Sequence, residues 1–229
     1  MSAATLTRDG RGRALATSEI VPAARAGEVV VVPQAMQRIG LHGELVEAIL
    51  AAIGEACGAA AAEEIRRRGF EKLHELVAPE RIEGAAHAVD RAFVSRYPRL
   101  VKAIGRDALG LRRPFYIPLI PVTRLSVPRQ GADAEPLRRD RSGVLLNRYP
   151  PHRDSWYTSP INTLNVWIAV GAVEHENGLY FYQDMWGREV RYEERDGRDF
   201  GTPLTIALDP GDVVVFDNRQ LHATADNVG

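Results

Sequence analysis

Beyond Gly110 the helical pattern of the chain stops and short β-branched and aromatic runs take over, at 144–149, 163–170, 179–183, 189–192, 204–207 and 213–216. The gaps carry turn chemistry, notably Glu176-Asn-Gly178, Asp196-Gly197 and Asp209-Pro-Gly211. Many short strands at this spacing indicate a sandwich or jelly roll. The expected fold is therefore mainly β, with flanking α-helices supplied by the first half.

That first half opens with residues 1–27, small and polar with no sustained period, which read as a loosely held arm. Glu28-Val-Val-Val-Val-Pro33 reads as a strand at a sheet edge, because proline cannot donate to a ladder. From 41 to 110 the pattern is helical. Leu45, Ile49 and Ile53 recur every four residues, a second helix runs over 59–77 with the charged run Glu63-Glu-Ile-Arg-Arg-Arg68, and 82–109 gives one or two more, broken at Pro98. His42, His74 and His87 read as surface or core-edge side chains of these helices, and Arg66-Arg67-Arg68 as a solvated face. The run 113–122 holds three prolines and suits a sheet edge, while 128–143 is polar, long enough to serve as a lid.

A length of 229 residues fits one domain: a loose arm at 1–27, helical support at 28–110 and a β core at 111–229. A formal charge of −1 gives no basic footprint for nucleic acid. The single Cys57 excludes an internal disulfide framework and a thiolate-rich zinc site, which fits a cytoplasmic protein. The N-terminus lacks a signal-peptide core, and no apolar run is long enough to span a membrane.

The chemistry concentrates at Pro151-His-Arg-Asp154. On an extended run, the period of two puts His152 and Asp154 on one face with Arg153 turned away. Gly211-Asp-Val-Val-Val-Phe-Asp-Asn-Arg-Gln-Leu-His222 then supplies a second imidazole. Two imidazoles and one carboxylate form the ligand set of a mononuclear non-haem Fe(II) centre, whereas structural zinc would want a fourth protein ligand. His175, in Val173-Glu-His-Glu-Asn-Gly178, is the rival ligand, although an exposed turn histidine is the simpler reading.

Arg148-Tyr-Pro-Pro-His-Arg-Asp-Ser-Trp156, Asn165-Val-Trp-Ile-Ala-Val170, Glu176-Asn-Gly-Leu179 and the Gly211…His222 run, in that order, resemble the Fe(II)/2-oxoglutarate-dependent dioxygenases of the phytanoyl-CoA dioxygenase-like family. The resemblance covers roughly residues 144–229, with compatible helices ahead. It implies a double-stranded β-helix, cupin-like, preceded by a helical segment. It also implies Fe(II) held by His152, Asp154 and His222, with 2-oxoglutarate and O2 as co-substrates and succinate as a product. Asp154 argues for hydroxylation or another oxidation without halogen transfer, since related halogenases carry a small residue there. Trp167 stands where the family tends to place a side chain against the co-substrate, and Asn165 shares its face by the period of two and could donate a hydrogen bond; core packing is the alternative for Trp167 and a strand-edge contact for Asn165.

The family's usual arginine, about ten residues past the distal histidine, is expected beyond Gly229 in a chain cut short. Arg148, Arg219 and Arg124 are the candidates within it. Trp156 and Tyr157, with Ser155, Thr158 and Ser159, form an aromatic and hydroxyl-rich wall suited to a small polar substrate or to simple packing. Two other functions remain open at this stage: a cupin-like module that binds a metal or ligand without turnover, and a metal-dependent hydrolase or isomerase.

Overall fold

The valine run that ends at Pro33 is buried on both sides. In the computed structural model, which describes residues 8–9, 12–117, 122–125, 149–157, 159–195, 198–225 and 227, contacts divide the chain into two units. The described residues of 1–35, 148–169 and 173–226 form one, and those of 36–147, 170–172 and 227–229 form the other.

In the first unit, β1 (Arg8–Asp9), β2 (Val30–Val32), β5 (Val213–Asp217) and β3 (Leu164–Ile168) make an antiparallel sheet in the order β1-β2-β5-β3. β2 is thus interior to the sheet, not its edge. Pro33 lies one residue past the strand, where its missing N–H costs the ladder nothing. β4 (Leu179–Phe181) and β6 (His222–Thr224) make a second antiparallel pair, and single bridges His152↔His222 and Phe181↔Leu204 extend it on both sides.

The two sheets share one core. Leu179 and Phe181 alternate inward from β4, Val214 and Phe216 from β5, and with Val29, Ala169 and Leu208 they form one buried cluster. The outer face of the β4–β6 pair is covered by a second cluster containing Tyr182, Met185, Leu221 and Ala223. Every residue of β5 is buried, because its other face meets α1 (Thr17–Arg25).

That helix lies within the segment expected to be a loose arm. Its signal is a short apolar stripe, Ile20, Ala23 and Ala24, all buried, diluted by Pro22 inside the helix. At its start Glu19 accepts the Ala16 N–H at 2.7 Å, and at its end Arg25 is tied to β5, as described below.

The second unit is helical: α2 (Ala35–Arg38), α3 (His42–Cys57), α4 (Ala59–Arg68), α5 (Leu73–Leu76), α6 (Pro79–Val94) and α7 (Tyr97–Ala103). α3 packs on α6 and α4, burying Leu45, Ile49 and Ile53 as their spacing requires. The helix expected over 59–77 is broken at Gly69, whose φ of +102° lies in the left-handed region that glycine tolerates and other residues resist. Pro98 does not break a helix but opens one, since the first turn of α7 leaves its N–H groups unpaired anyway. Arg66 pairs with Glu47, Arg67 with Glu64 and Arg68 with Glu75, as a solvated charged face does.

Among the described residues helix exceeds strand, and no strand is longer than five residues. The runs 189–192 and 204–207 form no strand, and 113–117 with 122–123 is irregular. The expected strand at 144–148 and lid at 128–143 lie outside the described residues.

Candidate metal centre

His152 and His222 face each other across a bridge in which each backbone N–H donates to the other's carbonyl, at 2.9 and 3.0 Å. Residues opposed in this way project their side chains to one face, and the two imidazole centroids are 4.2 Å apart. Arg153 is extended, with φ −115° and ψ 133°, so Asp154 returns to the side of His152 although it begins a 3₁₀ turn (Asp154–Trp156) rather than continuing a strand. Arg153 turns the other way and donates to the carbonyls of Met185 and Arg188 at 2.7 and 2.9 Å.

The nitrogen and oxygen ligand atoms of His152, Asp154 and His222 all lie within 4.8 Å of one another, a grouping able to hold a metal ion. Each imidazole is oriented by its own backbone: His152 Nδ1 lies 2.8 Å from the Pro150 carbonyl and His222 Nδ1 lies 3.0 Å from that of Gln220. A carbonyl can only accept, so each Nδ1 carries the proton and each Nε2 presents a lone pair. Those Nε2 atoms stand 3.5 and 3.8 Å from the Asp154 carboxylate, too far for a good hydrogen bond and converging on one point. The donor set and its tautomers fit a 2-His-1-carboxylate metal.

Burial pushes the Asp154 carboxyl up, but the His152 and His222 imidazoles when protonated, together with the Asn165 amide, outweigh it and hold the pKa at about 2. The group is a carboxylate at neutral pH. The imidazoles are packed in place: His222 meets Phe216 edge-on at 4.9 Å, and His152 meets Tyr149 edge-on at 4.2 Å.

Asn165 donates from Nδ2 to Asp154 Oδ2 at 2.5 Å, so the structure brings it to the triad, while Trp167 packs against the core cluster between the sheets. His175 is exposed in its turn, with Nδ1 2.9 Å from Thr205 Oγ1, and is not part of the grouping. Arg219 is engaged elsewhere. It grips Asp217 at 2.7 and 3.1 Å and lies over the Trp186 ring at 4.9 Å. Arg124 belongs to the other unit, and Arg148 and Thr158 lie outside the described residues.

Two features escaped the sequence reading. Thr224 shares the inward face of β6 with His222, and its Oγ1 is buried without a hydrogen-bond partner among the described residues. An unpaired buried hydroxyl is costly. The period of two from His222 was the available signal. The second is Tyr149, whose hydroxyl meets that of Tyr157 at 2.8 Å beside His152, and burial followed by this contact pushes the Tyr157 phenol up.

Among the described residues no helix is long and apolar enough to cross a membrane. No curated protein and no solved structure matches the chain. A family model described as phytanoyl-CoA dioxygenase (PhyH) matches residues 24–229, well beyond the stretch that carries the quoted motifs. The chain belongs to the phytanoyl-CoA dioxygenase family.

Proposed function

We propose that the protein is an Fe(II)- and 2-oxoglutarate-dependent oxygenase that hydroxylates a small polar metabolite, with release of succinate and CO2, and that both units serve as one oxygenase domain. The observation that carries this is the convergence of two Nε2 lone pairs on an ionised, partly buried carboxylate in a chain of this family. Iron with 2-oxoglutarate and dioxygen would supply the oxidising chemistry for a substrate C–H bond.

The residues divide the remaining work. His152, Asp154 and His222 hold the ion, and the carbonyls of Pro150 and Gln220 keep both imidazoles in the ligating tautomer. The unpaired Thr224 hydroxyl donates to a co-substrate carboxylate, and Trp167 closes the apolar side of that space. Tyr149 and Tyr157 form a wall beside His152 that presents phenol hydroxyls to a polar substrate, whereas Trp156 packs against the second cluster.

Oxygen-dependent release of succinate from 2-oxoglutarate, measured with iron-loaded protein over a panel of small metabolites, tests the reading. Turnover that stops in His152→Ala, Asp154→Ala and His222→Ala while the fold persists supports it. Full activity in any one of them refutes the site assignment. Product formation without oxygen or keto acid would point to a hydrolase or isomerase, and metal binding with no turnover to a binding module.

A further inference from the structure

Asn165 is a polar residue on a strand face that otherwise builds the core. It stands opposite Phe216 in the β3–β5 ladder, and Trp167, two residues on and on the same face, packs into the apolar cluster between the sheets. A half-buried amide in such a position needs a partner, and Asp154 Oδ2, at 2.5 Å from Nδ2, is that partner. An amide N–H within hydrogen-bond reach of a carboxylate oxygen fixes the rotation of that carboxylate.

The two carboxylate oxygens are therefore not equivalent. Oδ2 accepts from Asn165 and stands 3.8 Å from His222 Nε2, whereas Oδ1 lies nearer an imidazole, 3.5 Å from His152 Nε2. We infer that Asn165 is a positioning residue that holds Oδ2 and so keeps Asp154 a one-atom ligand through Oδ1. The inference rests on the metal-site reading above and deepens it. An octahedral ion bound by two imidazoles and one oxygen keeps three positions open, enough for a chelating keto acid and dioxygen. A carboxylate binding through both oxygens would fill a fourth position and leave too few. Through this hydrogen bond Asn165 acts on the centre by way of the carboxylate.

The test uses the full chain loaded with Co(II) or Mn(II), so that the readout is binding and spectroscopy rather than turnover. Asn165→Ala should raise the Co(II) dissociation constant about 10- to 100-fold and change the intensity of the Co(II) ligand-field bands. Mn(II)-loaded Asn165→Ala should show fewer than three exchangeable water positions and bind 2-oxoglutarate more weakly than the wild type, because a two-atom carboxylate takes a position the keto acid needs. Asn165→Ser, which keeps a donor on a shorter arm, should fall between the two and serves if the alanine variant does not fold. Mn(II)-loaded wild type, which needs no variant, should show three exchangeable water positions by water-proton relaxation. Unchanged metal affinity and bands in a folded variant, three exchangeable water positions in that variant, or two in the wild type would each overturn the inference while leaving the metal site intact. Failure of the wild type to bind either ion would overturn the metal site and the inference together.

Discussion

Removing the Asp217 carboxylate should destabilise the unit that carries the metal centre by about 2–3 kcal/mol. The side chain is fully buried at the end of β5 and ends several hydrogen bonds: Arg25 Nη1 at 2.9 Å, Arg219 Nε at 2.7 Å, Arg219 Nη2 at 3.1 Å and the Arg219 N–H at 2.9 Å. Breaking a fully buried ion pair from one side costs about 3–5 kcal/mol. The figure is lower here because the Arg25 and Arg219 side chains are 32% and 40% exposed and regain water once the carboxylate is gone. Asp217→Ala, compared with wild type in urea, is the experiment. Trp156, Trp167 and Trp186 all lie in this unit, so tryptophan fluorescence follows its unfolding alone.

The difference should also depend on pH in a defined direction. Burial pushes the Asp217 carboxyl up, but the Arg219 and Arg25 contacts outweigh it and hold its pKa below the ordinary value. A depressed folded-state pKa contributes stability that is fully present above the unfolded value of about 3.9 and is lost as pH falls through the folded value. The gap between wild type and variant should therefore be constant from neutral pH down to about 5 and shrink below about 4. A gap under about 0.5 kcal/mol at neutral pH, or one that widens on acidification, would refute the reasoning.

Thr224→Val should leave stability unchanged or raise it by up to about 1 kcal/mol, because a buried hydroxyl without a partner is replaced by a methyl of the same shape. The same variant should raise the KM for 2-oxoglutarate about tenfold with metal affinity unaltered, since one hydrogen bond to a charged group is lost; a wild-type KM would remove Thr224 from the co-substrate site. Gly27→Ala should cost more than about 2 kcal/mol in thermal or urea unfolding, because φ is +94° and an added Cβ would stand 2.2 Å from the Trp186 ring. Wild-type stability there would mean that Trp186 is not fixed against Gly27.

The site was legible in the sequence because its signals are local. His152 and Asp154 are separated by one extended residue, and His222 follows a tight turn and a buried strand, so residue spacing carries the geometry. Asn165 is legible on the same ground, through the period of two that it shares with Trp167, whereas its hydrogen bond to Asp154 depends on a partner eleven positions away. The missed elements depend on distant partners. α1 is stabilised by burying Ile20 and Ala24 and by Arg25, which donates to the carbonyls of Ile161 and Thr163 at 3.5 and 3.4 Å and to Asp217. None of this shows in a run of Ala, Arg and Pro. The valine run reads as an edge strand only if Pro33 belongs to it, and Pro33 begins the turn after the strand. Gly69 and Pro98 show the complementary difficulty: each is a punctuation mark, and whether it ends, starts or interrupts a helix is decided by the neighbouring turns.

Anaerobic titration of the apoprotein with Fe(II) and 2-oxoglutarate tests the central claim most directly, because the visible charge-transfer absorption of a 2-oxo acid chelated to Fe(II) appears only when both are bound at one centre. The account predicts that this band develops with one equivalent of iron per chain and is absent from Asp154→Ala and His222→Ala. A folded wild-type protein that binds no iron, or that binds iron and 2-oxoglutarate without the band, would contradict it.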